Sequence, residues 1–409
     1  MNVAWRRMRD DRSLLAALAL LVAVRIAAIL VLAGPPVSDG LAYHTMASTL
    51  AQGAPMVDNF GNRLFYSAGY PLLLALAYAV GGASSLSGHA LNLALAVVSG
   101  ALIYRIMRQL GSSGAISAVA VGGFALWLPG IWNGAMLARE NLTVPLVLAV
   151  MSGTIQMIQQ RRGAVATGTA WVGGVIGATA SAGVLLGPLS AIVGRKSPRL
   201  LLGLMAGIAI AVLPWAAATH AAFGSARLTS NSGFNLYLGN NPSATGSFVS
   251  VADTPAGRDW HPLLRTRGEF GASEELGRRA RAWVATHPQA ALELAAKKLA
   301  LFWAPNIPDA KDWQSSRMIS LVRLFEVAQY LALVLFGFVG LIALARRNAL
   351  LAIAVLAIIF GFWVPHMFAY IITRYRDPVM PTLLVLGVLW VSDRLGYRRQ
   401  GHRQRSCVG

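Results

Sequence analysis

Long apolar runs recur along nearly the whole chain. The first, at residues 13–33, follows a basic N-terminal stretch and has about the 20 residues that a helix needs to cross a bilayer core. Further runs predict membrane spans at 88–107, 114–132, 141–160, 164–181, 183–194, 200–219, 320–345, 349–371 and 377–393. The pattern therefore predicts an all-α, polytopic membrane protein with about ten transmembrane helices.

Two longer connections, at 34–87 and 220–317, interrupt what is otherwise a single membrane-embedded domain over 1–409. In the first, the apolar stretch 70–82 is too short to span and predicts an interfacial or re-entrant helix. In the second, a loop rich in Gly, Asn and Ser precedes a helix predicted to begin at Ser273, and Pro288 begins another. Arginines and apolar residues fall on opposite faces, which predicts amphipathic helices lying on the membrane surface.

The distribution of basic residues predicts the orientation of the chain. Only 12% of the residues are charged, against roughly 25% in a soluble domain, and Lys plus Arg exceed Asp plus Glu by 35 to 16. With both termini cytoplasmic, the cytoplasmic ends and short loops carry 18 basic residues and the short external loops carry 4. This asymmetry follows the positive-inside rule and places both long connections outside. Composition thus excludes a soluble enzyme, and the basic surplus reports topology rather than a nucleic-acid partner.

Few acidic residues are available on the outer side of the short connections. Asp39 follows the first span and opens a helical pattern in which Tyr43 comes one turn later, and Glu140 opens a later span. A carboxylate at such a place can act as a general base toward an acceptor hydroxyl. Each also fits a simpler interpretation, because acidic side chains at helix N-termini cap the helix or offset its dipole.

Arginines provide the second kind of candidate chemistry. Arg374 and Arg376 lie on the outer side, where their guanidinium groups suit a phosphate and would equally serve as interfacial anchors. Arg25 lies inside the first span. A charge at that depth is costly unless it is paired or faces a polar cavity, so Arg25 is a candidate for function or for structural pairing.

Several of these features occur in a fixed order along the chain. They are Arg25, Asp39 with Tyr43, Gly69-Tyr70-Pro71, Glu140, the loop NSGFNLYLGNNPSATG and the final RYRDPVMP. In this order they resemble the GT-C glycosyltransferases, in the branch of the bacterial polyprenyl-phosphate-sugar-dependent protein mannosyltransferases and the lipid A aminoarabinose transferase. The chain departs from that branch ahead of the short helix, where relatives often carry a basic residue beside a proline. The usual phosphate contact is then expected to move to Arg63.

The resemblance implies a GT-C fold and an inverting transfer of one sugar from a polyprenyl-phosphate donor to a lipid, polysaccharide or protein acceptor. It implies catalytic roles for Asp39 and Glu140, with a divalent metal near them as the one possible cofactor. It also implies an active site on the external, periplasmic face of a bacterial inner membrane. The residues expected to bind substrate are Tyr43, Arg63, Arg374, Arg376, Arg25 and Asn240.

Two other functions remain open at the level of sequence. A transporter or flippase for a lipid-linked sugar would also need a polar cavity and arginines, but transporters tend to show internal repeats and polar groups at mid-membrane. A purely structural subunit would need none of these residues. Because the polar candidates gather toward one surface beside long external segments, the transferase is the preferred interpretation.

Overall fold

The computed structural model describes residues 11–160, 168–173, 175 and 198–396, and these residues form helices joined by short loops, without a strand. The predicted span at 183–194 and most of that at 164–181 lie outside the described residues. The helices are α1 Arg12–Leu32, α2 Asp39–Ala51, α3 Gly69–Gly81, α4 Ser85–Gln109, α5 Gly114–Ala125, α6 Leu128–Gly134, α7 Glu140–Gln160, α8 Pro198–Phe223, α9 Ser232–Gly239, α10 Trp260–Thr286, α11 Pro288–Trp303, α12 Ala310–Ser315, α13 Arg317–Arg347, α14 Ala349–Trp363 and α15 Met380–Arg394. Turns of 3-10 helix cover Val251–Asp253, Val364–Met367 and Thr373–Val379.

Six helices in the described part of the chain are long and apolar enough to cross a membrane: α1, α4, α7, α8, α13 and α14 with the turn that follows it. The predicted span at 114–132 is instead a bent pair, because α5 and α6 meet at 61°. Trp127 is extended between them, and Pro129 in the first turn of α6 restarts the helix. If this pair is counted as one span, the described residues contain seven candidate membrane spans. The prediction of an all-α polytopic membrane protein is confirmed.

Glycines bring α13 and α15 into direct backbone contact. A Cβ atom on Gly340 would lie 2.2 Å from the carbonyl oxygen of Leu386, and one on Gly337 would lie 2.6 Å from Cβ of Leu383. Small residues of this kind let membrane helices approach closely and gain van der Waals contact. The packing fixes α15, and with it the turn Thr373–Val379 that immediately precedes it.

Several of the helices lie in the two long connections predicted to be external, 34–87 and 220–317, which we call the first and second external connections. The predicted helix over 70–82 is present as α3. The predicted start at Ser273 is wrong, because α10 runs from Trp260 with a break at Gly268, whose φ of 65° lies in the left-handed region that glycine tolerates. Pro288 does begin α11.

The loop after α9 pairs with the segment ahead of Thr373–Val379 through one bridge, in which Ile371 N–H donates to the Gly246 carbonyl over 2.9 Å.

Candidate active site

Asp39 is the first residue of α2 and follows the C-terminal end of α1 by seven residues. Ser38, directly before it, has a φ of 50°, an unusual conformation for a residue with a side chain. The Asp39 carboxylate forms a close ion pair with the guanidinium of Arg374 in the turn ahead of α15. About a quarter of the Asp39 side chain, 26%, is exposed, so the group is held in place yet accessible.

Glu140 is the second carboxylate of the site and begins α7. It is almost fully buried, and its Oε1 lies 3.8 Å from Nε of Arg374 and 3.7 Å from Nε of Arg139. Arg374 therefore lies between two carboxylates that come from distant parts of the chain. We call Asp39, Arg139, Glu140 and Arg374 the charge cluster; its two acidic and two basic groups balance one another.

Tyrosines line the charge cluster on the side of the first external connection. Tyr43, on α2, is buried and makes edge-on ring contacts with Tyr66 at 5.7 Å and Tyr70 at 5.6 Å. The Tyr66 hydroxyl lies near the Asp39 carboxylate, whose negative charge also raises the pKa of this phenol. Burial raises the pKa of both Tyr43 and Tyr66, so both phenols stay protonated at neutral pH and serve as donors or apolar walls.

The structure also adds residues that the sequence analysis did not select. Tyr66 contacts Asp39, and Arg139 contacts Glu140 and places its guanidinium 5.6 Å from the ring of Tyr375. The only signal for Arg139 in the sequence is its position directly before Glu140. Tyr66 gave no signal of its own, because its contact with Asp39 depends on how the loop between α2 and α3 folds back.

Two of the predicted substrate-binding residues are engaged within the protein. Arg376 is 5% exposed, donates to the carbonyl oxygens of Phe302 at 3.1 Å and Ala304 at 2.6 Å, and lies 3.7 Å from the ring centroid of Tyr330. Asn240 is buried and donates to the carbonyl of Phe368 over 2.7 Å. These contacts link α9 and the end of α11 to the segment that joins α14 to α15.

Arg63 and Arg25 also lie apart from the charge cluster. Arg63 is exposed on the first external connection, and its guanidinium lies 4.9 Å from the ring centroid of Phe223. Arg25 is 2% exposed and donates to the Phe124 carbonyl over 3.4 Å, while its Nε and one terminal nitrogen have no hydrogen-bond partner among the described residues. Arg25 lines a cavity of about 20 Å³, with room for one water molecule, which Glu140 and Asn133 also line.

The residues available for a metal are few. Within the described residues, no group of three or more His, Cys, Asp and Glu side chains could hold a metal ion. The predicted pair, Asp39 and Glu140, flanks the guanidinium of Arg374. A divalent ion would have to displace that guanidinium and take its other ligands from substrate and water. In this structure, the positive charge between the two carboxylates comes from Arg374.

Comparison with known proteins gives structural matches. No family model and no curated protein matches the chain. It is similar to the oligosaccharyltransferase of Archaeoglobus fulgidus in complex with Zn and sulfate, with a TM-score of 0.54 and 14% identity over 94% of this chain and 50% of that one. The oligosaccharyltransferase AglB of the same organism, in complex with an inhibitory peptide and a dolichol-phosphate, gives 0.50 and 13% over 95% and 51%. ArnT from Cupriavidus metallidurans, bound to undecaprenyl phosphate, gives 0.44 and 14% over 91% and 77%.

The likeness to the oligosaccharyltransferases extends over almost the whole chain and confirms the predicted GT-C fold. The chain spans about half the length of those proteins, 50% and 51%. At 13% and 14% identity it is the arrangement of helices that is shared.

Proposed function

We propose that this chain is a glycosyltransferase that moves a single sugar from a polyprenyl-phosphate donor to an acceptor at the external face of the membrane, with inversion. The observation that carries the proposal is the charge cluster, in which Arg374 lies between Asp39 and Glu140. A carboxylate that accepts a proton and a guanidinium that receives a phosphate are the two groups that such a transfer needs. The GT-C fold supports the same conclusion.

An apolar cavity of about 360 Å³ supports a lipid-linked donor. It lies among α3, α7 and α8 and is lined by Leu72, Leu76, Leu142 and Trp215, among other apolar residues. Leu142 is two residues after Glu140, and the cavity also reaches Gly69, beside Tyr70. A prenyl tail in this cavity would leave its phosphate close to the charge cluster. The AglB structure contains dolichol-phosphate, a lipid of this kind.

The residues of the charge cluster have separate roles in the proposed step. Asp39 takes the proton from the acceptor hydroxyl as its oxygen attacks the anomeric carbon. The bond from that carbon to the phosphate oxygen breaks, and the polyprenyl phosphate leaves with the electron pair. Arg374 and Arg139 stabilise the charge that develops on the phosphate. Because attack and departure take place on opposite faces of the sugar ring, one displacement inverts the anomeric centre.

Glu140 has a positioning role in this scheme. It is more deeply buried than Asp39, and it lies within 4 Å of both arginines. It therefore holds the two guanidinium groups toward the phosphate. The acceptor class, whether lipid, polysaccharide or protein, follows from none of these contacts.

The proposal is tested by mass spectrometry of the lipid, polysaccharide and protein fractions of a deletion strain. The strain is complemented with wild type, Asp39→Asn, or the matched control Asp253→Asn, which changes an exposed external carboxylate. A single-sugar increment restored by wild type and the control, but lost in Asp39→Asn, supports the transferase and identifies its acceptor. Equal restoration by all three would contradict the role of Asp39 and favour transport of a lipid-linked sugar.

A further inference from the structure

A groove lies in the second external segment, apart from the charge cluster. It has a volume of about 750 Å³, within the range of small-molecule sites, and lies between α9 and the part of α10 after Gly268. Arginines form its walls: Arg227, Arg267, Arg278 and Arg281. We call it the arginine groove.

At the floor of the arginine groove, the backbones of α9 and α10 are in contact, and glycines allow this close approach. A Cβ atom on Gly233 would lie 2.0 Å from the carbonyl oxygen of Ser273, and one on Gly277 would lie 3.0 Å from Cα of Gly233. Any larger side chain at either place would push α9 and α10 apart. The two helices therefore touch at the floor, and the long arginine side chains stand around it.

The arginine groove carries a net positive charge. Glu274 pairs with Arg227, and Glu275 accepts from Arg278 at 2.7 Å. Glu275 also lies 3.6 Å from Arg267. Arg281 makes no ion pair with any described carboxylate, and the lining holds four arginines against two glutamates. The Phe234 N–H in the first turn of α9 already donates to the Ser273 hydroxyl over 3.1 Å, so the excess positive charge of the groove comes from its arginines.

Ring contacts connect the arginine groove to Asp39. Phe234 on α9 contacts Phe65 at 5.1 Å, and Phe65 contacts Tyr66 at 5.5 Å. Tyr66 in turn lies near Asp39. A second tie is the carboxylate of Glu269, which accepts from the backbone N–H of Arg63 at 3.0 Å. These contacts hold the arginine groove at a fixed position relative to the charge cluster.

We propose that the arginine groove binds a phosphate or phosphodiester carried by the acceptor, and so holds the acceptor while its hydroxyl reaches Asp39. Guanidinium groups suit a phosphate oxyanion, which they can bind through two parallel hydrogen bonds. No aromatic side chain lines the groove in the described residues, so its chemistry favours the charged group over a sugar ring. The assignment of this phosphate to the acceptor rests on the proposed function; the binding of phosphate does not.

The test is calorimetric titration of pyrophosphate into the full chain in phosphatidylcholine nanodiscs. All samples carry Arg374→Gln, which weakens phosphate binding at the charge cluster to the same extent in every sample. Arg281→Gln is compared with Arg265→Gln, a matched change on the same helix outside the groove, and melting temperatures confirm folding. We expect Arg281→Gln to weaken pyrophosphate binding about fivefold and Arg265→Gln to change it less than about twofold.

Two results would overturn the arginine groove as a phosphate site: equal affinity in the two variants, or no pyrophosphate binding in the Arg374→Gln protein. Adding phosphatidylglycerol to the nanodiscs separates the possible sources of the phosphate. Competition with pyrophosphate that depends on Arg281 identifies a lipid headgroup, and its absence identifies a soluble or polysaccharide phosphate. A failure of the transferase proposal would appear separately, as sugar transfer that persists in Asp39→Asn.

Discussion

Arg374 and Arg376 lie two residues apart in the same turn, yet their surroundings differ in kind. Arg374 is 34% exposed and meets two carboxylates. Arg376 is 5% exposed and meets two backbone carbonyls and a tyrosine ring. The first guanidinium keeps accessible surface for a phosphate, and the second has its donors committed to the link between α11 and the membrane part. The same residue type in one motif therefore serves a reaction site and an anchor.

Replacing Arg374 with Gln should give the largest effect on activity. The change removes the cation between Asp39 and Glu140, and we expect kcat to fall by a factor of about 10² to 10³. The melting temperature should change little, because Asp39 is partly exposed and the buried Glu140 keeps Arg139 as a partner at 3.7 Å. Transfer assays with purified protein measure the first effect and thermal unfolding measures the second. Full activity in this variant would reassign Arg374 as an anchor like its neighbour.

Replacing Arg376 with Gln should give the reverse pattern. The buried carbonyls of Phe302 and Ala304 lose their charged donor, and each lost bond of this kind costs about 1.5 to 3 kcal/mol. We expect a lower melting temperature, with kcat close to wild type in the protein that remains folded. A large loss of kcat at unchanged stability would place Arg376 in the reaction site and end the contrast with Arg374.

Lys298, on α11, is a second buried basic residue that, like Arg376, has its donors committed within the protein. It is buried, donates to Asn240 Oδ1 and to the Met367 carbonyl, each at 3.1 Å, and burial lowers its pKa to about 8. Between this value and the ordinary lysine pKa near 10.4, the unfolded chain binds the extra proton, so the stability contribution rises with pH across that window. Below a pH of about 8, Lys298 is charged in the folded chain as well, and burying this charge lowers the free energy of unfolding by its full amount. Thermal unfolding at pH 7 and pH 9.5 should therefore show a rise in wild type that is smaller in Lys298→Met. An equal rise in both proteins would assign it to other groups.

Chelation should have the smallest effect. Arg374 already provides the cation between Asp39 and Glu140, so we expect transfer to continue unchanged after treatment with EDTA. The assay compares treated wild type with the same sample after Mn²⁺ or Mg²⁺ is restored. Activity lost to EDTA and recovered with metal would mean that a divalent ion displaces the guanidinium during the reaction.

The sequence was most informative where chemistry and order along the chain agreed. Asp39, Tyr43, Glu140 and Arg374 were all selected from the sequence, and the fold brings them together. Their roles remain predictions. The fold class followed from the apolar runs alone, because span length is a physical requirement of the bilayer.

Other residues could not be placed from the sequence, because their surroundings depend on long-range packing. Nothing in RYR indicates which arginine faces a carboxylate, since that depends on how the turn meets α11. Asn240 lies in a polar loop that suits a ligand, but its amide is held by the Phe368 carbonyl from a distant segment. The bend between α5 and α6 was missed as well, because the apolar pattern continues through it.

The buried guanidinium of Arg25 also affects how the chain enters the membrane. A single arginine at the centre of an isolated helix adds about 2.5 to 3.5 kcal/mol to the free energy of its insertion into the membrane. The carbonyl to which Arg25 donates belongs to Phe124, 99 residues later. At about 5 to 20 residues per second, a ribosome needs roughly 5 to 20 s to supply that partner. During this interval α1 must remain beside the translocon or draw water to its charge, so the surroundings of α1 are completed only when α5 has been made.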